Sequence, residues 1–190
     1  MTTDYRLNMK VTPLAIPDVL LIKLKVFGDD RGFFMETFQA ERYRELVGID
    51  LPFVQDNFSR SQRGVLRGLH FQKSKPQGKL ITVTRGTVFD VAVDIRRNSA
   101  TFGKWVGIEL SEENHYQLWI PPGFAHGFIV LSEVCDFTYK CTALYDPKDE
   151  VCIHWQDADL NINWPSVDPI VSDKDRKGRP FKEILSDGLR

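Results

Sequence analysis

Polar side chains set inside apolar runs are the ones able to do chemistry in this sequence, because an enclosed pocket becomes reactive where a few such groups converge. His70 lies in GVLRGLHFQ (64–72), which reads as a strand. Strict alternation puts Val65, Arg67, Leu69 and Phe71 on one face and Gly68, His70 and Gln72 on the other. A bulge at Gly68 would break that phase and turn Arg67 and His70 into one cavity. Tyr139, in CDFTYKC (135–141), shares a strand face with Phe137 and Cys141. Lys79 opens a strand directly after the turn KPQGK (75–79), a place from which an ammonium reaches a cavity mouth. Together an imidazole, a phenol and an ammonium could do general acid–base work. Taken one at a time, they fit equally a hydrogen-bonded core histidine, a packed strand aromatic and a solvated lysine.

His126 lies in PPGFAHGF (121–128), which has the P-x-G-x-x-H spacing of the second sequence box of cupin barrels. Metal-binding cupins draw their other ligands from an H-x-H followed by a Glu, since several ligands must converge on the ion. The corresponding stretch is His70-Phe71-Gln72, a neutral amide standing for the second imidazole, so no metal is expected. His115 and His154 sit in no comparable motif and read as surface or packing residues. No G-x-G-x-x-G follows a strand, and there is neither a G-x-x-x-x-G-K-[ST] loop nor a G-x-S-x-G elbow. Hydride transfer, NTP hydrolysis and serine hydrolysis are therefore disfavoured, and no cofactor is expected.

The elements that must position these groups are short runs rich in Val, Ile, Phe, Thr and Trp, separated by turn residues, which is an all-β pattern. Strands are predicted over 19–26, 31–38, 52–59, 64–72, 79–85, 88–95, 104–110, 116–120, 126–131 and 135–142, a number that favours a double-sheet jelly roll. In Val88–Ile95, Phe89, Val91, Val93 and Ile95 form a core face. Asp90 and Asp94 lie on the other, as expected for a wet cavity or solvent. Only AERYRELVG (40–48) reads as a helix, with Tyr43, Leu46 and Val47 on one side, and it is expected to pack as a lid. Beyond about residue 155 the pattern turns irregular yet stays aromatic, as in an ordered segment laid over the barrel.

With no linker or repeat, residues 1–190 read as a single domain: an N-terminal strand or arm (1–17), a jelly-roll core (18–155) and an ordered C-terminal tail (156–190). A net charge of -1 with no Lys/Arg block argues against nucleic acid or a membrane surface as partner. The start MTTDYRLNMK lacks the hydrophobic stretch of a signal peptide and no apolar run could span a bilayer, so a cytoplasmic location is expected. Cys135, Cys141 and Cys152 have no C-x-x-C spacing and read as buried thiols.

Seven stretches carry a family resemblance: FGDDRGFFMETF (27–38), FVQDNFSRS (53–61), GVLRGLHFQ (64–72), QGKL (77–80), VFDVAVDIRRNSATFGKWVG (88–107), QLWIPPGFAHGF (117–128) and FTYK (137–140). In order and interval, from about residue 15 to residue 176, they resemble the dTDP-4-dehydrorhamnose 3,5-epimerases. The resemblance implies a cupin-like double-sheet jelly roll with one or a few short peripheral helices, usually a homodimer. It implies a cofactor-independent isomerase that inverts C3 and C5 of a dTDP-linked 4-keto-6-deoxyhexose, dTDP-4-dehydro-6-deoxy-D-glucose, to give dTDP-4-dehydro-L-rhamnose.

By the same resemblance His70 is the base and Tyr139 the acid on the opposite face of the sugar. Lys79 faces the developing O4 oxyanion. In VSDKD (171–175), Asp175 is the carboxylate that hydrogen-bonds the histidine, and Asp173 is a solvated neighbour. Matching nucleotide positions are Arg31, Glu36, Gln55, Asp56, Asn57, Arg67, Lys79, His126, Glu150 and Lys174, with Tyr145 stacking on thymine. The Arg31/Glu36 segment is implied to reach the neighbouring subunit's site. Two departures stand out: Phe58 holds a position where the family often has histidine, and CTALY (141–145) is less polar than usual. They leave open a relative that inverts only C3 or only C5, and a non-catalytic sugar-nucleotide-binding cupin is a third reading.

Overall fold

The computed structural model describes residues 9–166 and 168–186; the first eight residues of the expected N-terminal arm, and 167 and 187–190 of the expected tail, lie outside them. The first half of the chain supplies strands β1 (Met9–Pro13), β2 (Leu20–Leu24), β3 (Phe27–Asp29), β4 (Gly32–Phe34), β5 (Gln55–Gln62), β6 (Leu66–Gln72), β7 (Lys79–Arg85) and β8 (Thr87–Asp94). The second half adds β9 (Trp105–Ser111), β10 (Tyr116–Ile120), β11 (Phe124–Val130), β12 (Val134–Cys141) and β13 (Glu150–Cys152). Helix α1 spans Ala40–Val47, and the short helices α2 (Asp173–Arg176) and α3 (Phe181–Ser186) lie in the C-terminal segment.

One sheet has the order β1-β2-β10-β7-β12-β5, the other β13-β6-β11-β8-β9, and β3-β4 form a separate hairpin. Pairings between these strands are antiparallel. Ile81, Val83, Leu118, Ile120 and Phe137 of the first sheet pack against Val88, Ala92, Val106, Leu110 and Phe128 of the second. This is a cupin-like double-sheet jelly roll: the strand pattern implies the two-sheet architecture and the family resemblance its cupin-like form.

β8 departs from the expected half-wet strand, because both of its faces are buried. Val88 and Ala92 point between the sheets, while Val91 and Val93 point outward under Leu160, Phe181 and Ile184 of the C-terminal segment. Asp90 and Asp94 are each 0% exposed, so neither meets solvent. Asp94 is satisfied by Arg96, Ser99 and Thr101.

α1 starts where the Gln39 side chain accepts from the Arg42 N–H and ends at Gly48 in the left-handed region. It is not a lid. Tyr43 and Val47 pack with Ile22, Leu24, Leu80 and Trp119 on the outer face of the six-stranded sheet, and the Tyr43 hydroxyl donates to Gln117. The apolar stripe of so short a helix needs a large apolar surface, and the back of that sheet provides one. The expected strand 31–38 is only the arm Gly32–Phe34 of a hairpin. Cys135 and Cys141 are buried, but Cys152 is only half-buried, and all three are free thiols. Among the described residues no helix is long and apolar enough to cross a membrane.

Candidate active site

Between the two sheets a cavity of about 280 Å³ is lined by Arg67, His70, Lys79, His126, Tyr139, Tyr145, Glu150, Lys174 and Asp175, together with Ser59, Gln77, Phe128, Phe137 and Ser172. A larger hollow of about 520 Å³ around Trp155 and Trp164 contains neither a histidine nor a lysine. The smaller cavity is the one where acid–base groups converge.

The bulge expected at Gly68 is present. Leu66 and Arg67 pair with Ile129 and Phe128, but His70 pairs with His126, so β6 carries one residue more than β11 between those points. A Cβ on Gly68 would lie 2.5 Å from Gly127 Cα and 2.7 Å from the His126 carbonyl, and its φ is +120°. Only glycine allows this approach. The phase change lets Arg67 and His70 line one cavity.

His70 Nε2 lies 2.5 Å from Asp175 Oδ1, and Nδ1 lies 3.7 Å from Glu150 Oε1. Asp175 is 3% exposed, and its backbone N–H is capped by Ser172 Oγ while its Oδ2 accepts from the same hydroxyl. Burial pushes its carboxyl up, but His70 and Ser172 outweigh that and hold it below the usual range. An ionised Asp175 takes Nε2–H, which leaves the Nδ1 lone pair free to accept a proton.

On the opposite sheet, the Gly78 N–H donates to Thr142 Oγ1 and the Thr142 N–H to the Gly78 carbonyl, tying the turn before Lys79 to the strand of Tyr139. Burial pulls the Lys79 pKa down, against the upward pull of Cys141 and Asp90. Burial pushes the Tyr139 phenol up, so it stays protonated at neutral pH. Stacked Phe128 and Phe137, with centroids 4.0 Å apart, form an aromatic wall shared by the two sheets.

These features have relatives. The sequence profile described as dTDP-4-dehydrorhamnose 3,5-epimerase matches residues 13–183. The chain belongs to the dTDP-4-dehydrorhamnose 3,5-epimerase family. It is 57% identical to the enzyme of that name from Pseudomonas aeruginosa over 176 residues, 92% of this chain and 97% of the relative. A crystal structure of dTDP-6-deoxy-D-glucose-3,5-epimerase from Legionella pneumophila, in complex with dTDP-4-keto-L-rhamnose, superposes with a TM-score of 0.92 at 54% identity, covering 94% of this chain and 96% of that one. A 3'-monoepimerase from Streptomyces bikiniensis in complex with dTDP-quinovose is more distant: 32% identity and a TM-score of 0.87, over 93% of this chain and 90% of that one.

The positions carried over from this epimerase family divide in three. Arg67, His70, Lys79, His126, Tyr139, Tyr145, Glu150, Lys174 and Asp175 share the cavity. At its mouth the Tyr145 hydroxyl donates to Glu150 Oε2 at 2.9 Å, and Lys174 pairs with the same carboxylate. Gln55 and Asn57 are one step back: Gln55 accepts from the Tyr145 N–H and donates to Asn57, which donates to Cys141 Sγ. Asp56 points the other way, because alternation along β5 turns it to the outer face, where it pairs with Lys140. Arg31 and Glu36 also lie off the cavity. The Arg31 side chain is 90% exposed and holds Asp29, and Glu36 pairs with Arg42.

Asp90 is the functional group the sequence reading passed over. It accepts from His126 Nε2 at 3.0 and 3.1 Å and faces Lys79. Burial lowers the His126 pKa, against the upward pull of Asp90. A carboxylate between Val88 and Ala92 on a strand with two apolar faces was the available signal, since a buried charge needs a partner. Gln72, at the second ligand position of metal-binding cupins, is spent on loops: its amide donates to the Lys75 and Leu144 carbonyls and accepts from the Asp146 N–H.

Proposed function

We propose that this protein epimerises dTDP-4-dehydro-6-deoxy-D-glucose at C3 and C5, giving dTDP-4-dehydro-L-rhamnose by proton removal and return beside the C4 ketone. The observation that carries the reading is the layout of one cavity. An imidazole held by a carboxylate enters from the five-stranded sheet, and a phenol and an ammonium enter from the six-stranded one. The relative in complex with dTDP-4-keto-L-rhamnose is far more similar than the monoepimerase, which favours inversion of both carbons.

The C3 and C5 protons flank a carbonyl, so loss of either yields an enolate with its charge on O4. His70 Nδ1 takes the proton on one face while Asp175 stabilises the imidazolium that forms. Lys79, whose charged form the facing Asp90 favours, steadies the growing charge on O4. Tyr139 returns a proton from the opposite face, and the carbon is inverted. Tyr145 stacks on thymine at the mouth, and Arg67, Lys174, Gln55 and Asn57 hold the diphosphate end.

The active form is a homodimer in the cytoplasm. Supporting this are the exposed Phe27, Phe33 and Phe34 on the hairpin that carries Arg31, none of which lines the cavity. In the dimer Arg31 and Glu36 serve the neighbour's nucleotide. Mixing inactive Arg31→Ala and His70→Asn chains should restore part of the activity, because one hybrid site then has both groups intact. The test of the reaction itself is NMR of the product: inversion at C3 and C5 supports it, and inversion at one carbon alone demotes the protein to a single-centre epimerase.

A further inference from the structure

We propose that His70, Asp175 and Cys152 form a zinc-class metal site through which a divalent cation switches the catalytic base off. One ligand atom from each of the three lies within 4.8 Å of the others. The site shares His70 with the cupin metal position but takes its other ligands from Cys152 and Asp175, the second cupin ligand being replaced by Gln72 with its loop contacts.

Three observations build the corner. Cys152 on β13 is paired directly with His70 on β6, so thiol and imidazole sit side by side on neighbouring strands. Cys152 Sγ is 3.7 Å and His70 Nε2 2.5 Å from the same oxygen, Asp175 Oδ1. Ser172 holds the other carboxylate oxygen at 2.8 Å, which fixes the direction in which Oδ1 points. One nitrogen, one sulfur and one oxygen suit zinc, cobalt or cadmium better than magnesium or calcium. Tetrahedral bonds of roughly 2.0 Å to nitrogen and oxygen and 2.3 Å to sulfur put ligand atoms about 3.3–3.6 Å apart. The sulfur–carboxylate spacing is already close to that; the imidazole has to withdraw from the carboxylate by about 0.8 Å and, from a nitrogen–sulfur spacing of at most 4.8 Å, settle at about 3.5 Å from the thiol.

Binding has a definite proton balance. The metal takes the place of the Nε2 proton, which moves to Nδ1, and the thiol gives its proton to solvent. A dication, a carboxylate, a thiolate and a neutral imidazole make a neutral complex, with one proton released per metal. The consequence falls on Nδ1, which exchanges its lone pair for an N–H and can no longer take a proton from carbon. Only this switching-off rests on the epimerase reading; the binding does not.

The test uses Co²⁺ as a spectroscopic probe on the purified full chain, without substrate, followed by Zn²⁺ inhibition of turnover. Expected are one Co²⁺ per chain with a thiolate-to-cobalt charge-transfer band, displacement of the band by Zn²⁺, and inhibition that EDTA reverses. In Cys152→Ser the band should vanish, and half-inhibition, scored against that variant's own metal-free rate, should need at least about tenfold more zinc. Cys152→Ala, chosen in case the serine variant does not fold, should behave alike. Absence of the band, its persistence in both variants, or zinc inhibition equally strong in them would overturn the proposal, as would a band with undiminished turnover. A protein that binds cobalt as described but turns over no substrate without metal would instead sink the epimerase reading.

Discussion

Two histidine–carboxylate pairs serve the same cavity, and they are built for different tasks. His70 and Asp175 come from a strand and from a capped helical turn more than a hundred positions later, and the imidazole side chain keeps 24% of its surface open. His126 and Asp90 come from adjacent strands of one sheet and are 6% and 0% exposed. In the proposed mechanism the open pair presents a basic nitrogen to a substrate. The sealed pair turns a carboxylate toward Lys79, where it works against the lowering of the ammonium pKa by burial. On that proposal one cavity separates the group that moves protons from the group that favours a charged Lys79.

The sharpest way to break this comparison is to remove each histidine-linked group in turn. His70→Asn should cut turnover by about 10³-fold or more with an unchanged melting temperature, and Asp175→Asn by about 10²-fold, since the base survives without its orienting partner. Equal losses in the two variants would mean that Asp175 does more than orient. Asp90→Asn should act through pH. Asp90 raises the Lys79 pKa, so without it the ammonium deprotonates at lower pH and the alkaline limb of the rate profile moves to lower pH. An unmoved limb would show that Asp90 does not serve Lys79.

Gly68→Ala tests the joint between the pairs, since the contact of Gly68 with Gly127 sets His70 opposite His126. It should cost about 3 kcal/mol of stability in a denaturant titration. The smallest effect is expected at Asp94, which shares a strand face with Asp90 but is structural. Burial pushes its carboxyl up, yet Arg96, Ser99 and Thr101 outweigh that and hold it at about 2. A depressed folded pKa gives stability that is complete above the unfolded value near 3.8 and is lost as pH falls toward 2. Asp94→Asn should therefore flatten the acid limb of the stability curve and leave the rate profile alone.

The jelly roll was legible because its strands alternate and its turns carry Pro and Gly, and the helix 40–48 because Tyr43, Leu46 and Val47 recur at helical spacing. The bulge at Gly68 followed from chemistry, a glycine interrupting a strand between two polar groups that would otherwise diverge. Asp175 was legible only through resemblance, for nothing local ties residue 175 to residue 70. Asp90 was misjudged because alternation tells which face a side chain takes but not what covers it. The covering of the other β8 face by Leu160, Phe181 and Ile184 comes from a largely irregular segment whose helix α3 is too short to stand out as a period in the sequence. The helix 40–48 was given the wrong surface for a related reason, since an apolar stripe does not say which sheet face it meets.

Isotope exchange in heavy water with dTDP-4-dehydro-6-deoxy-D-glucose tests the central claim most directly. The wild-type protein should place deuterium at C3 and C5, His70→Asn should place none at either carbon, and Tyr139→Phe should exchange protons while failing to invert. Full exchange at both carbons in His70→Asn would contradict the account.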